Sequence, residues 1–481
     1  MVFSSLTFLF VFLPITAALY FLPSVLLRPQ HTGRASSKVF SCRLMTYKNA
    51  VLLIMSLFFY AWGEPVNVVL MLLSIIFNFC IGADMQRKSG KPNVKKLLFA
   101  LSLLFNLGTL GFFKYSGFIV NNINLIPGMN IRFIAPGLPV GISFYTFQVL
   151  SYVIDVYREK VSPQENILDF GLYISMFPQL IAGPIVQYST IEKQLRERRE
   201  TGEGAMQGIW LFTLGLAKKA LLANSAGAVY TSLTGQGFSL SALSAWTAVL
   251  FYTFQIYFDF SGYSDMARGL GKIFGFDFPE NFSHPYIADS ITDFWRRWHI
   301  SLSSWFRDYV YIPLGGSRCS PARNIFNLFA VWFLTGLWHG ASWSFVLWGL
   351  YYLLLLVLEK HIFSAVRKKL PVALRRALTF VLVMLGWVLF SCESLSGAGR
   401  MFASMFGANG LTDSTALYTV MSNAAILVIM GIFSTPLFSY ELHTKRKSTR
   451  AVMLLLSTAL FVLSVICIIS DSYNPFLYFR F

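Results

Sequence analysis

Residues 324–358 read NIFNLFAVWFLTGLWHGASWSFVLWGLYYLLLLVL, a run that contains no Asp, Glu, Lys or Arg. It is long and apolar enough to lie at membrane depth, since a helix of ~20 such residues spans a bilayer. His339 lies midway along it. A titratable group at that depth is costly, and imidazole is well suited to moving protons near neutral pH, so His339 is a candidate functional residue. The alternative is that His339 only hydrogen-bonds a neighbouring helix.

The rest of the chain has the same apolar character. Of its 481 residues, 55% are hydrophobic and 13% are charged, well below the roughly 25% charged residues of soluble domains. Bilayer-length apolar runs recur, which predicts an all-α polytopic membrane protein. The net charge of +17 comes from short basic clusters between these runs. That is the positive-inside pattern, and no nucleic-acid module accompanies it, so no nucleic-acid partner is predicted.

The basic clusters predict an orientation in the membrane. Those assigned to the cytoplasm lie within residues 28–48, 87–96, 158–160, 193–199, 268–323, 360–376 and 445–450. Alternating spans then place both termini outside, and about eleven to thirteen transmembrane helices fit. The first run, residues 2–27, lacks a basic leader region and a small-residue cleavage site. We expect it to be a retained span rather than a signal peptide.

Two segments are unlike ordinary spans. Residues 170–188 contain Pro178, Gly183 and Pro184, which would break a helix and free backbone groups that lipid cannot satisfy. A re-entrant element inside the protein is predicted there. Residues 286–316 mix tryptophan with arginine and histidine, a composition typical of an interfacial or re-entrant helix.

A series of motifs then suggests a family. In order they are PVGISFYTFQ (139–148), PQLIAGP (178–184), FDFSGYSD (258–265), FWRRWHISLSSWFRDY (294–309) and the run around His339. Each is weak alone, but their order and spacing together resemble the membrane-bound O-acyltransferases over essentially the whole chain. The most similar branch is that of bacterial alginate and peptidoglycan O-acetylation, and the teichoic-acid D-alanyl transfer protein is a related branch.

The resemblance implies an architecture and a location. The spans and re-entrant elements would surround a central funnel or tunnel in a multi-pass protein of the bacterial inner membrane. Residues 1–136 would form N-terminal transmembrane helices, 137–392 the catalytic core, 393–470 C-terminal transmembrane helices, and 471–481 an extracellular aromatic tail.

The resemblance also implies catalytic residues. The invariant family histidine matches His339, and the second family histidine matches His299. His339 would accept the proton of an attacking hydroxyl and return it to the thiolate leaving group. His299 would be catalytic, or it would only orient the site or bind donor phosphate. Trp338, adjacent to His339, is expected to support the site.

Further side chains are expected to support the reaction. Asp259 and Asp265 lie in an otherwise apolar run, where a carboxylate usually has a function. Either they take a direct part in the reaction, or they pair with Arg268. No metal site is predicted.

The resemblance further implies an acyl donor. No tightly bound cofactor is expected, and an acyl-CoA or a phosphopantetheine-linked carrier protein would supply the acyl group. Arg296, Arg297 and Arg307 are the candidate phosphate-binding residues on the cytoplasmic side. A solvated positive-inside cluster would account equally well for these three arginines.

The final residues, NPFLYFRF (474–481), are short and aromatic. They are similar to a C-terminal ending found in the family or on a small companion protein. In those systems the tyrosine is implicated as an acyl acceptor, so Tyr478 is a candidate acyl relay. The alternative is an interfacial aromatic belt that anchors the terminus.

These expectations predict an enzyme that passes an acyl group, above all acetyl, from a cytoplasmic thioester to an extracellular polysaccharide or cell-wall polymer. An external SGNH-type transferase is the expected partner. D-alanyl transfer to teichoic acid is an alternative within the same class. A polysaccharide or lipid flippase is an alternative of another class, although the paired broken helices of a transporter are not visible in the sequence.

Overall fold

A computed structural model describes residues 1–26, 34–235, 240–363, 369–437, 447–470 and 476–477, without the side chains of residues 24–26, 34–42 and 447–449. Tyr478 therefore lies outside the described residues. The described chain is helical, and its extended segments meet only in one bridge, between Phe282 and Trp298. The all-α fold predicted from the sequence is confirmed.

The helices of the first part of the chain lead up to the central motifs. They are a π-helix over Phe8–Phe12 followed by α1 (Leu13–Leu26), α2 (Arg34–Gly63), α3 (Asn67–Arg87), α4 (Pro92–Ile123), α5 (Ile142–Tyr157), α6 (Ile167–Ser175), α7 (Phe177–Leu180), α8 (Tyr188–Glu197) and α9 (Gly202–Ala217).

The second part of the chain contains the histidine motifs. Its elements are a π-helix over Lys218–Ala223, α10 (Asn224–Thr234), α11 (Ala242–Ile273), a 3-10 turn over Pro285–Ile287, α12 (Ile291–Arg297), α13 (Ile300–Phe306), a π-helix over Arg307–Tyr311, α14 (Pro321–His339), α15 (Trp343–His361), α16 (Val372–Ser391), α17 (Leu395–Met405), α18 (Ser414–Ser422), α19 (Ala424–Phe433) and α20 (Lys447–Ser470).

Membrane-spanning length and apolarity occur together in six helices of the described chain, or seven if the α18–α19 pair, bent by 58°, is one span. The six lie within α2, α3, α4, α15, α16 and α20. The total of eleven to thirteen spans therefore stays a prediction. Among the helices that carry the motifs, α7, α12 and α13 are short, and the long helix α11 contains Asp259, Asp265, Arg268 and Lys272.

The chain forms two compact units, of which the first comprises Met1–Phe212 and Met266–Pro279. The helix break predicted within residues 170–188 is present in this unit, because α6 ends at Ser175 and the one-turn helix α7 covers Phe177–Leu180. Every residue from Asp169 to Val186 is buried. The irregular backbone is therefore enclosed by protein, as a re-entrant element at membrane depth requires.

A buried polar cluster attaches the amphipathic helix α8 to the first unit. Arg198, which follows α8, donates to Asn49 Oδ1 at 2.6 Å, and Asn49 donates to Asp169 Oδ1 at 2.7 Å. Nearby, Lys48 Nζ lies 2.9 Å from Glu200 Oε2. Because each buried charge has a partner, the cluster stabilises the position of α8 rather than forming a binding site.

The second unit comprises Thr213–Asp265 and Glu280–Phe481 and contains both candidate catalytic histidines. Its centre is a hairpin of α14 and α15. A Cβ at Gly336 would lie 2.5 Å from the Phe345 carbonyl oxygen, so glycine permits the close approach of the two helices. Helix α16 packs on α15, and α20 packs on the π-helix Lys218–Ala223.

Candidate active site

His339 is the last residue of α14, at the turn of the central hairpin. Its side chain is buried among aromatic rings: the centroids of Trp338, Trp348 and Phe390 lie 4.9, 5.0 and 5.1 Å from that of the imidazole. All three rings meet the imidazole edge-on. The apolar surroundings predicted for His339 are therefore present, contributed by α14, α15 and α16.

His299 lies at a break between two short helices, where a single interfacial or re-entrant helix was expected. Helix α12 ends at Arg297, and His299 has φ 47° and ψ 53° before α13 begins at Ile300. This left-handed conformation is uncommon outside glycine and costs of order 1–3 kcal/mol. The surrounding backbone compensates, because Ile300 donates to the Asn281 carbonyl at 3.0 Å and Ser283 donates to the Arg297 carbonyl at 3.0 Å.

A hydrogen bond from His299 to Asn281 defines the tautomer of the imidazole. Asn281 Oδ1 accepts the backbone N–H of Ser301 at 3.1 Å, which fixes the orientation of the amide, and lies 3.2 Å from His299 Nδ1. Because Oδ1 can only accept, Nδ1 carries the proton in the neutral ring. Nε2 then holds the lone pair, which is the state that a proton acceptor needs.

Trp338 lies between the two histidines. Its ring centroid is 5.9 Å from that of His299 and 4.9 Å from that of His339. The structure thus brings together His299, Trp338 and His339 from separate motifs, each of them buried. Each buried imidazole can accept a proton at its unprotonated nitrogen, so either histidine could act as a base in this aromatic site.

Asp259 and Asp265 lie six residues apart in α11, and each has a lysine partner. Lys219 Nζ is 2.6 Å from Asp259 Oδ1, and Lys218 Nζ is 2.6 Å from Asp265 Oδ2. Gly262, midway between the two aspartates, permits this contact because a Cβ there would lie 2.7 Å from the Gly215 carbonyl oxygen. Both carboxylates therefore belong to buried or nearly buried ion pairs of the second unit.

The residues just before Tyr478 also contact α11. Phe476 stacks on Tyr263 with a centroid distance of 4.8 Å, and Leu477 N–H donates to Asp259 Oδ2 at 2.8 Å. Phe476 also contacts Phe260, whose ring lies edge-on to His299 at 4.7 Å. The described part of the tail and His299 thus share one aromatic wall.

The candidate donor-binding arginines are not gathered into one group. Arg297 Nε lies 3.0 Å from both carboxylate oxygens of Asp293, and Arg307 Nε lies 2.8 Å from Asp308 Oδ1. Arg296 is exposed. Two of the three arginines thus have a carboxylate partner within four positions in the chain, and phosphate binding by the three stays a prediction.

Several residues of the site were not identified from the sequence. Asn281 precedes the aromatic motif by more than ten positions, and Trp348 and Phe390 lie in stretches that look only apolar. Lys219 had a signal, since Lys218 and Lys219 interrupt an apolar run. A lysine within such a run requires a buried anion, and Asp259 is that anion.

Replacing Asn281 with alanine is expected to lower kcat about tenfold to a hundredfold, because buried donors of His299 and Ser301 lose their acceptor at about 1–3 kcal/mol each. The apparent KM for the acyl donor should change little, since Asn281 acts through His299. Ser301→Ala is the matched control, because it removes only the 3.0 Å bond from Ser301 Oγ and keeps the Asn281–His299 bond. Equal losses in both variants would contradict the tautomer assignment.

Comparison with known families identifies the family of this chain. Residues 159–399 match the profile of the membrane-bound O-acyltransferase family, and this interval includes His299, Trp338, His339, Asp259 and the lysine pair. The chain belongs to the membrane-bound O-acyltransferases and is an O-acyltransferase.

The chain is similar to relatives of three kinds within the family. The chain is 37% identical to a "probable alginate O-acetylase" of Pseudomonas putida, with all of both chains covered. It is 34% identical to a peptidoglycan O-acetyltransferase of Helicobacter pylori, over 89% of this chain and 91% of that protein. Identity to a teichoic acid D-alanyltransferase of Bacillus subtilis is 28%, over 52% of this chain and 68% of the relative. These similarities make the protein a membrane O-acetyltransferase.

Proposed function

We propose that this protein takes an acetyl group from a thioester on the cytoplasmic face and passes it across the membrane for O-acetylation of an extracellular polysaccharide. The carrying observation is the pair of buried imidazoles, His299 and His339, on either side of Trp338. The full-length similarity to an alginate O-acetylase supports a glycan as the final acceptor.

The chemistry requires a base in an apolar site. A neutral hydroxyl attacks the thioester carbonyl carbon while His339 takes the hydroxyl proton, which avoids a free alkoxide. The carbon–sulfur bond then breaks, and the thiolate receives the proton from His339. His299 carries its ring proton on Nδ1, towards Asn281, so Nε2 could accept a hydrogen bond from the attacking hydroxyl and orient it before that proton passes to His339.

The acyl acceptor inside the membrane is proposed to be Tyr478. A phenol ester keeps a higher transfer potential than an alkyl ester, because the leaving phenol has a pKa near 10. The contacts of Phe476 and Leu477 with α11 support this role, since they hold the preceding residues beside the wall that includes His299. The acetyl group would then pass from Tyr478 to an external SGNH-type transferase.

The same proposal includes the orientation of the chain in the membrane and the bounds of its catalytic core. Both termini would lie outside the inner membrane, Arg296, Arg297 and Arg307 would face a coenzyme A thioester or a carrier protein in the cytoplasm, and residues 137–392 would form the catalytic core. The preponderance of basic residues in segments 158–160 and 268–323 supports the cytoplasmic assignment.

Reconstitution with isotope-labelled acetyl-CoA tests the proposal. Vesicles would expose the cytoplasmic face to the donor and hold a polysaccharide acceptor inside, with or without a purified SGNH-type transferase. Label is expected on the protein in both cases and on the polysaccharide only when the transferase is present.

The same vesicles separate the alternatives. Full-rate acetylation of the polysaccharide without the transferase would contradict the partner requirement. Labelling by a charged carrier protein but not by acetyl-CoA would favour the D-alanyl type of donor. Movement of unmodified polysaccharide across the membrane, with no acyl transfer, would instead identify a flippase.

A further inference from the structure

Asp259 makes two interactions at once, an ion pair with Lys219 and a hydrogen bond from the backbone of Leu477. Its Oδ1 is paired with Lys219 Nζ at 2.6 Å, and its Oδ2 accepts the backbone N–H of Leu477 at 2.8 Å. Its side chain is 1% exposed and that of Lys219 is 7% exposed. The carboxylate thus joins a buried cation to the backbone of a segment more than two hundred positions away in the chain.

A buried ion pair at membrane depth is weak evidence for stability, because desolvation offsets much of the attraction. Additional hydrogen bonds to the free lone pairs make such a pair tolerable. Lys219 pairs with one oxygen of Asp259, and Leu477 N–H donates to the other. The Leu477 contact therefore adds a hydrogen bond to the ion pair, and the carboxylate gives Leu477 N–H a charge-assisted acceptor.

Neighbouring aromatic residues form a slot for the side chain that precedes Leu477. Phe476 lies 4.8 Å from Tyr263 in a stacked arrangement and 5.8 Å from Phe260. Asp259 and Phe260 are each neighbours of Tyr263 on the surface of α11, at spacings of four and three residues. Phe476 is 3% exposed and Leu477 is 9% exposed, so both are enclosed.

The backbone around Lys219 lies close to both α11 and α20. Lys218–Ala223 is a π-helix, a form that often occurs at functional positions, and it packs against α20, the helix that leads to the C-terminal segment. A Cβ at Gly262 would lie 3.3 Å from the Lys219 nitrogen, so glycine lets the π-helix come close to α11. The same face of α11 thus contacts the π-helix and the segment that follows α20.

We propose that Asp259 and Lys219, with Phe260 and Tyr263, form a docking site for the C-terminal segment, in which the carboxylate holds the backbone at Leu477 and the aromatic slot holds Phe476. Asp259 is thereby a positioning residue and Lys219 its counter-ion. Docking fixes the start of the segment that carries Tyr478. The docking contacts are independent of the proposed relay, but the function that we assign to docking rests on it.

The second ion pair of α11 is a matched control. Lys218 and Asp265 are also 2.6 Å apart, with side chains 10% and 15% exposed. Asp265 lies six residues after Asp259 in α11, and the described contacts of Phe476 and Leu477 involve Asp259, Phe260 and Tyr263 rather than this pair. Loss of either ion pair should perturb α11 similarly, but only loss of Asp259 should release the segment.

Hydrogen exchange measured by mass spectrometry on the full-length protein tests the docking site without any acyl donor. In Asp259→Ala, the slowly exchanging amide in the C-terminal peptide should exchange about tenfold faster or more, as expected on losing a hydrogen bond to a charged group. Asp259→Asn keeps an acceptor and should show a smaller increase. Asp265→Ala should leave that peptide unchanged, and exchange in the α14–α15 hairpin reports whether each variant is folded.

Substitution of Leu477 identifies the amide itself. Leu477→Pro removes the N–H donor, so one slowly exchanging amide should disappear from the peptide, whereas Leu477→Ala keeps the donor and should retain it. If Asp259→Ala leaves the exchange of the C-terminal peptide unchanged, or if Asp265→Ala raises it equally, the docking site is wrong.

Failure of the relay would be seen separately. If Asp259→Ala releases the segment and acetyl export continues at the parental rate, docking stands and the relay through Tyr478 is refuted. If export falls and the KM for the donor is unchanged, Asp259 positions the acceptor and does not bind the donor. Rescue of both exchange protection and export by Asp259→Asn, with Asp259→Ala inactive, would confirm the positioning role.

Discussion

Replacement of His339 with alanine is expected to reduce acetyl transfer by at least about a hundredfold, because general-base assistance contributes 10²–10⁴ to such reactions. Membrane insertion and expression should stay near the parental level. The reason is chemical: the attacking hydroxyl loses its only proposed proton acceptor at the end of α14. Transfer from labelled acetyl-CoA in reconstituted vesicles, normalised to inserted protein, measures the effect.

Two further variants make the His339 result specific. His339→Gln approximately keeps the volume enclosed by Trp338, Trp348 and Phe390 and removes the imidazole, so it should be as inactive as the alanine variant. His361→Ala removes an exposed histidine from the end of α15 and serves as the control for histidine loss in general. Turnover of the Gln variant within tenfold of the parent, about 1.4 kcal/mol of barrier, would refute the general-base role.

Tyr478→Phe is expected to have the second large effect. The change removes a single oxygen, so no acetyl ester can form at this position, and export of acetyl groups should fall to background. Mass spectrometry of the C-terminal peptide from donor-fed protein should find an added acetyl group in the parent and none in the variant. Binding of the acyl donor should be unaffected, because the phenol of Tyr478 is not proposed to bind it.

A surface tyrosine provides the control for that experiment. Tyr418 in α18 is 73% exposed, and Tyr418→Phe should change neither the acetylated peptide nor export. Undiminished export by Tyr478→Phe would end the relay hypothesis and favour direct transfer to an external acceptor. It would leave the docking of Phe476 and Leu477 on α11 untouched, since exchange protection measures that docking independently.

The local features of the site were predictable from the sequence. His339 could be recognised because a charge-free run on both sides of an imidazole is visible without knowledge of any neighbour. Pro178 and Pro184 predicted a broken helix because proline excludes helical hydrogen bonding wherever it occurs. The order of the motifs indicated the family, and the match over residues 159–399 confirmed it.

Side-chain partners could not be predicted in the same way. The sequence suggested Arg268 as a partner for Asp259 and Asp265, since it is the nearest cation on the same helix. The structure adds Lys219 and Lys218, which are far away in the chain and reach α11 through the close approach at Gly262. The arginines of the aromatic motif are a similar case, because the sequence suggested them as phosphate-binding residues and the structure adds carboxylate partners for two of them, Asp293 for Arg297 and Asp308 for Arg307.

The sequence by itself therefore determined the membrane class, the helical fold, the family and the residue types available for acyl transfer, because hydropathy, helix breaking and motif order are properties of local sequence. Tertiary structure alone decided that Trp338 separates His299 from His339, that Asn281 sets the tautomer of His299, and that Leu477 meets Asp259. These relations depend on how closely helices approach, and that distance is set by packing between segments far apart in the chain.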